Sequence, residues 1–431
     1  MSTLLNSKKS LLSITMVAAV LFTSSLTFAQ EIDMLLKGGH VIDAKNKINS
    51  KMDVAIKDGK IYRVAADIPA SSAKKTVNVS GLYVTPGLLD IHGHVFHGTE
   101  NNYLSNSLDA LPPDGFTFRA GVTTVVDAGG AGWKNIDLFR TNIVEHSKTR
   151  VLAFMNIVGG GMRGVEGFEQ DETDMDAKLT GTMALKNKDI VVGIKLAHYI
   201  GHDWEPTDKA VEAGRIASIP VMVDFGKALP PLPLEDLLLK HLRPGDILTH
   251  AYRYDQEYDK NGKMLEHKQA IVDVKTKKVK PFVWEARKKG LIFDVGHGGG
   301  SFTFSQAIPA TQQGFFPETI STDLHTGSMN SAMKDQLNVM SKFMALNMPL
   351  ADVIKASTWS AAKAINHEEL GHLSVGAIAD ITVLNLREGK FGFYDVARFK
   401  KEGKNLLECE MTIKDGKIMY DLNALSFPMA K

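Results

Sequence analysis

Near both ends of the chain, apolar and polar residues alternate one by one, the pattern of a strand with a single buried face. Met52-Asp53-Val54-Ala55-Ile56 alternates, Lys57-Asp58-Gly59 turns, and Lys60-Ile61-Tyr62-Arg63-Val64 resumes the alternation. An Asp-Gly pair between two such runs predicts a β-hairpin, because both turn residues must take up positive φ. The same letters, IKDGKI, stand at Ile56–Ile61 and again at Ile413–Ile418, and Asp380–Leu384 is a further strand candidate. Asp-Gly hairpins are common in any chain. Their placement at both ends of a long middle predicts one small β domain, built from residues 30–84 and 371–431.

The middle, residues 85–370, follows a different rhythm. Short, continuously apolar runs occur at Leu82–Thr85 (continuing to His94), Thr123–Asp127, Val151–Ile157, Ile190–Lys195, Val221–Asp224, Ile247–His250, Leu291–Val295 and Ile320–Asp323. Helical patterns separate them, at Ile136–Ser147, Thr207–Ser218, Leu234–Leu242 and Pro281–Lys289, and Met329–Ile365 reads as almost continuous helix. Apolar strands alternating with helices predict a parallel sheet covered on both faces. Eight such units, with no Gly-rich dinucleotide fingerprint after the first, point to a closed (β/α)8 TIM barrel. Chemistry in that fold sits at the C-terminal ends of the strands. Here the runs finish in His92 and His94, Asp127, Lys195, Asp224, His250, His297 just past its strand, and Asp323.

Composition narrows the picture further. Lys8 and Lys9 precede an apolar run, Leu11–Phe28, that ends in Thr27-Phe28-Ala29. This is the layout of a secretory signal peptide over residues 1–29, and it predicts an exported, periplasmic or secreted protein beginning near Gln30. A membrane anchor is the alternative, but the run is short for a span and contains Ser13, Thr23, Ser24 and Ser25. The 50 basic and 49 acidic residues give a formal net charge of +1, so nothing calls for nucleic acid or a membrane surface as partner. Cys409 is the single cysteine, which excludes an internal disulfide. Oligomeric state is not legible.

The candidate chemistry begins at Ile91-His92-Gly93-His94. Side chains two apart on a strand share a face, so both imidazoles can reach one ion. The surrounding segment, PGLLDIHGH, resembles the entry motif of the amidohydrolase superfamily, whose members bind one or two divalent metals. Further segments are similar to that family in the same order: GVTTVVDAGGAGW from Gly121, Val192-Gly193-Ile194-Lys195, LRPGDILTH ending in His250, FDVGHGGGSF from Phe293, and STDLH from Ser321. They match the dihydroorotase-like and deacetylase branch and cover nearly the whole mature chain.

The resemblance implies that His250 is a ligand, that Lys195 is carboxylated and bridges two ions, and that Asp323 binds metal and shuttles the proton. It also implies that His297, followed by Gly298, faces substrate. Each position has a plainer reading. His92 and His94 could be a structural pair, His250 a satisfied core histidine, Asp323 a turn cap, and the glycines around His297 only a flexible loop. An ammonium at Lys195, ending an apolar strand, is costly to bury unless a salt bridge or carboxylation compensates it. One position departs from the pattern: Asp224 stands where the family usually has histidine. Asp224 is therefore either a carboxylate ligand or a group behind the ligands, with His198 and His202 as conceivable substitutes, and two-ion occupancy is in question. His97 has no assigned role.

Taken together, these features imply a metal-dependent hydrolase acting on a small-molecule amide, of the N-acyl deacetylase kind. Imidazoles with carboxylates suit zinc, as two ions or one. Attack by metal-bound hydroxide, with Asp323 as general base and then acid, is the implied mechanism. A cyclic amidase of dihydroorotase or hydantoinase type is the alternative, although export argues against pyrimidine synthesis. A catalytically silent barrel acting as a binding protein is the third reading. Specificity would lie in the loops Phe96–Phe116, Gly159–Asp171 and Tyr252–Lys280.

Overall fold

The computed structural model describes residues 31–97, 109–162, 169–226, 228, 231–253 and 269–430, so the expected signal segment and parts of all three specificity loops lie outside it. The N-terminal strands are β1 (Ile32–Asp43), β2 (Ile48–Lys57), β3 (Lys60–Ala65), β4 (Ala73–Asn78) and β5 (Tyr83–Pro86). Seven barrel strands follow: β6 (Leu88–Gly93), β7 (Val122–Gly132), β8 (Arg150–Asn156), β9 (Val191–Leu196), β10 (Val221–Val223), β11 (Ile247–Leu248) and β12 (Ile292–Phe293). The chain ends with β13 (Ile381–Tyr394), β14 (Lys400–Lys414) and β15 (Lys417–Asp421).

Both chain ends share one sheet, in the order β15-β14-β13-β5-β1-β2-β3, with β4 also paired to β1. The join is antiparallel and runs from Ile381 opposite Pro86 to Leu384 opposite Tyr83. Met34, Leu36, Val54 and Ile56 from one end pack in a single cluster with Ile381, Val383, Met411 and Ile413 from the other. The two IKDGKI turns have the backbone that Asp-Gly chemistry predicts: Asp58 and Gly59 at φ 50 and 72, Asp415 and Gly416 at φ 50 and 74. They also lie against each other. A Cβ on Gly416 would stand 2.8 Å from Gly59 Cα. Ala379 bonds both turns, donating to Gly59 O and accepting from Gly416 N at 2.9 Å each.

The chain leaves this sheet at Gly87, where a Cβ would meet Thr123 Oγ1 at 2.2 Å. The apolar run Leu82–His94, read as one strand, is therefore two, because the tight passage past Thr123 hands it from one sheet to the other. Strands β6 to β12 form a parallel sheet in sequence order. Residues 319–324 close it as the eighth member, through parallel bridges from Thr319 to Asp294 and from Leu324 to Gly93. His297 N and Gly298 N donate to Ser321 O and Thr322 O on one side, while Leu324 N donates to His92 O on the other. The barrel is closed.

Leu89, Ile91, Val126, Leu152, Phe154, Met222 and Ile247 cluster with Ala361, Ala362 and Ala364 of the helix Trp359–Ala364. The stretch expected as nearly continuous helix is in fact three, Gln336–Ala345, Leu350–Ala356 and Trp359–Ala364. Asn347 is left-handed at φ 66 and Pro349 follows it, which ends the first. Ser357 then turns its carbonyl to Leu89 N at 2.9 Å instead of continuing a helix. Among the described residues no helix is long and apolar enough to cross a membrane.

Gly416→Ala tests the meeting of the chain ends. Left-handed backbone costs a non-glycine residue about 1–2 kcal/mol, before any contact with Gly59. The denaturation midpoint should fall accordingly, and an unchanged midpoint would mean the two turns carry no load.

Candidate metal centre

At the C-terminal mouth of the barrel, polar side chains finish the apolar strands and are buried together: His92, His94, Lys195, Asp224, His250 and Asp323 are each less than 9% exposed. What each imidazole can do depends on where its Nδ1 hydrogen goes. His92 Nδ1 lies 2.9 Å from Thr249 Oγ1, whose own hydrogen goes to Asp294 Oδ2 at 2.8 Å. Asp294 also accepts from the hydroxyls of Thr319 and Ser321 at 2.6 Å each. With Thr249 already donating, His92 Nδ1 must carry hydrogen, and its Nε2 lone pair faces the centre. His250 Nδ1 is 2.5 Å from Gly296 O, which can only accept, so its Nε2 is bare as well.

The centre is built on strained backbone. His198, His250 and Asp323 are left-handed, at φ 55, 57 and 53, a region non-glycine residues seldom occupy outside functional sites. Gly298, at φ 56, lies against Asp323, and a Cβ there would stand 2.3 Å from Asp323 Oδ2. Asp323 Oδ1 is 2.9 Å from His94 Nε2 and 3.5 Å from His92 Nε2. Burial alone would raise the Asp323 carboxyl, but the imidazoles around it, with His94 Nε2 donating directly to Oδ1, hold it below the usual carboxylate range. Burial, helped by the Lys195 charge, pushes His92 far down, so it is neutral.

Lys195 pairs in register with Asn156 and Met222 and is 1% exposed. Its Nζ is 3.4 Å from His92 Nε2, and among the described residues it forms no ion pair. Burial lowers its pKa against the pull of Asp224, Asp323 and Glu169. Asp224, at the end of β10, lies 3.3 Å from His198 Nε2, 3.5 Å from His250 Nε2 and 3.2 Å from Arg253 Nη1. Burial works against its ionisation, yet His250 and His198 hold its pKa far down. His198 Nδ1 is 2.7 Å from Glu169 Oε2; burial opposes its charge, but Asp224 and Glu169 raise its pKa to about 10.

A divalent cation fits this donor set. Ligand atoms of His92, His250 and Asp323 all lie within 4.8 Å of one another and are buried. His94 Nδ1 is buried and has no hydrogen-bond partner among the described residues.

The sequence-derived residues do not all converge. His297 is fully buried, its Nδ1 bonded to Gly298 O at 3.0 Å and its Nε2 to Lys342 Nζ at 2.7 Å. Phe302 stacks on the ring at 4.7 Å, and both ring nitrogens are engaged by the protein. Burial lowers Lys342, on the helix Gln336–Ala345, to about 7. Asp127 accepts from Val95, Phe96 and Gly130 N, and so shapes the loop after His94.

The model of the Amidohydrolase family matches residues 304–419. The chain is 32% identical over 336 residues to a Deacetylase of Brucella anthropi, covering 77% of this chain and 78% of that one. It is 31% identical over 398 residues to a Deacetylase of Enterococcus faecalis, covering 91% of this chain and 100% of that one. The chain belongs to the amidohydrolase superfamily. Among solved structures, this amidohydrolase is similar to an adenine deaminase (TM-score 0.79, 30% identity, 90% of this chain and 100% of that one). It is also similar to a dihydroorotase (TM-score 0.75, 28% identity, 90% and 99%). It is thus a metal-dependent hydrolase acting on carbon–nitrogen bonds.

Residue patterns did not single out Glu169, Arg253, Lys342 or the Thr249–Asp294 link in this amidohydrolase. The signal available was weak: Thr249 and Asp294 lie inside quoted motifs, and an aspartate amid Phe293 and Val295 had to find donors. Thr249→Val cuts that link, leaving a buried carboxylate short of one donor at a cost of about 1–3 kcal/mol. Urea denaturation measures it, and wild-type stability would show the link to be idle.

Proposed function

We propose that this amidohydrolase removes an acyl group from a small acyl-amide, using zinc held by His92, His94, His250, Asp323 and a carboxylated Lys195. The observation that carries this is the convergence of buried imidazoles whose Nδ1 hydrogens are committed elsewhere, leaving Nε2 lone pairs around an ionised Asp323. The relatives named Deacetylase, one matched over its entire length, support the acyclic amide as the substrate class. Carboxylation would resolve the buried Lys195 by turning a cation without an ion pair into an anion. Gly298 stands here as the residue that lets Asp323 approach.

Bound ions would supply water ionised near neutral pH and polarise the amide carbonyl. The protein's part is the proton. Asp323, ionised by its histidine neighbours, takes it from the attacking water and returns it to the leaving nitrogen. Water adds at the carbonyl carbon, the carbon–nitrogen bond breaks, and a carboxylate and an amine leave. Asp323→Asn should lower kcat by about 10²–10⁴-fold with the fold and much of the metal content retained. Full turnover in that variant would remove Asp323 from the role.

The similarity to a dihydroorotase structure favours one second reading, a cyclic amidase. Turnover of a panel of acyclic acyl-amides, cyclic imides and an acetylated hydroxy acid separates the two. We also propose export with cleavage after Ala29, supported by the Lys8-Lys9 and Leu11–Phe28 pattern. N-terminal sequencing of protein from its native host should read from Gln30, and a chain starting at Met1 would refute cleavage.

A further inference from the structure

The turn Gly296-His297-Gly298 is packed against two residues of the site. A Cβ on Gly296 would stand 2.8 Å from His250 Nδ1, and one on Gly298 2.3 Å from Asp323 Oδ2, so neither position has room for a side chain. Gly296 O is also the acceptor that holds the Nδ1 hydrogen of His250 and so turns its Nε2 towards the centre. Only His297 gives this turn a side chain, and that side chain meets Lys342 of the helix Gln336–Ala345.

The hydrogens of this pair are matched. His297 Nδ1 lies 3.0 Å from Gly298 O, which can only accept, so the ring carries its hydrogen there and Nε2 is bare. Lys342 Nζ donates to that Nε2 at 2.7 Å and to Ala332 O. It is fully buried and among the described residues forms no ion pair. Burial pushes its pKa down to about 7, against the pull of Asp395 and Asp335 and with the help of Lys334. A neutral amine has two hydrogens, and two acceptors face it. An amine buried without a carboxylate is costly where a methionine would fill the same space. The neighbouring Ser341 accepts from Leu407 N of β14 at 3.0 Å, so the helix that presents Lys342 is itself tied to the sheet shared by the chain ends.

We infer that Lys342 is a positioning residue of the hydrolytic site: through His297 it fixes the turn whose backbone aims His250 and seats Asp323. The inference rests on the metal-dependent reading above and adds to it a residue from a helix outside the barrel strands.

The experiment is Co(II) binding, read without activity. Metal-stripped full-length protein is titrated in the presence of bicarbonate and followed by visible absorbance. Lys342→Met fills the space without donating, and His297→Phe keeps an aromatic ring on Phe302 while cutting the same link from the other side. Each should weaken Co(II) binding by about 10–100-fold. The double variant should bind no more weakly than the weaker single one, because the two residues act as a unit. In turnover of an acyl-amide, kcat and kcat/KM of Lys342→Met should fall together. Thermal melts of the metal-free variants control for folding, and His297→Phe carries the test if Lys342→Met does not fold. A residue that only packs would lower the melting point and leave Co(II) affinity per folded chain unchanged. That result overturns the inference, as do losses that add in the double variant. A wild type that takes up no Co(II) overturns the metal-dependent reading and the inference with it.

Discussion

The direction of an imidazole's hydrogen decides how this site works. His92 and His250 each give their Nδ1 hydrogen to an acceptor outside the central space, a threonine hydroxyl and a backbone carbonyl. A neutral imidazole has one hydrogen and one lone pair, so fixing the first aims the second. The acceptors are themselves held. Thr249 is oriented by Asp294, and Asp294 by hydroxyls from the eighth barrel segment. The same segment closes the barrel and presents Asp323, so the closure of the sheet and the aim of the ligands are one construction.

The price of that construction is strain and crowding at the mouth. Left-handed backbone at His198, His250 and Asp323 is tolerated because neighbours over-determine each position. Gly298 shows how little room remains, since even a methyl group would collide with the Asp323 carboxylate. Such a site tolerates change poorly, and its geometry persists because strands rather than loops carry most of it.

Much of this was legible in the chain. The IKDGKI words located both hairpins and joined the ends into one sheet, because Asp-Gly turn chemistry is local. The strand-end residues His92, His94, Lys195, Asp224, His250 and Asp323 converge because side-chain parity and the strand order of a barrel dictate where they go. What stayed hidden depends on contacts between distant segments. Nothing around Glu169 reveals that it meets His198, and nothing around His297 reveals Lys342, from a helix beyond the barrel strands, on its Nε2. The split of Leu82–His94 escaped for the same reason: only Thr123, across the sheet, shows why Gly87 must be a crossing point.

The sheet shared by the two ends also has a meaning in time. Thr85 hydrogen-bonds to the carbonyl of Thr382, 297 positions later. Strand β5 has no partner on that edge until β13 has been synthesised, so this pairing follows the barrel between them. A chain cut short within the barrel keeps β1 to β5 but leaves an open strand edge, a ready template for pairing with another chain.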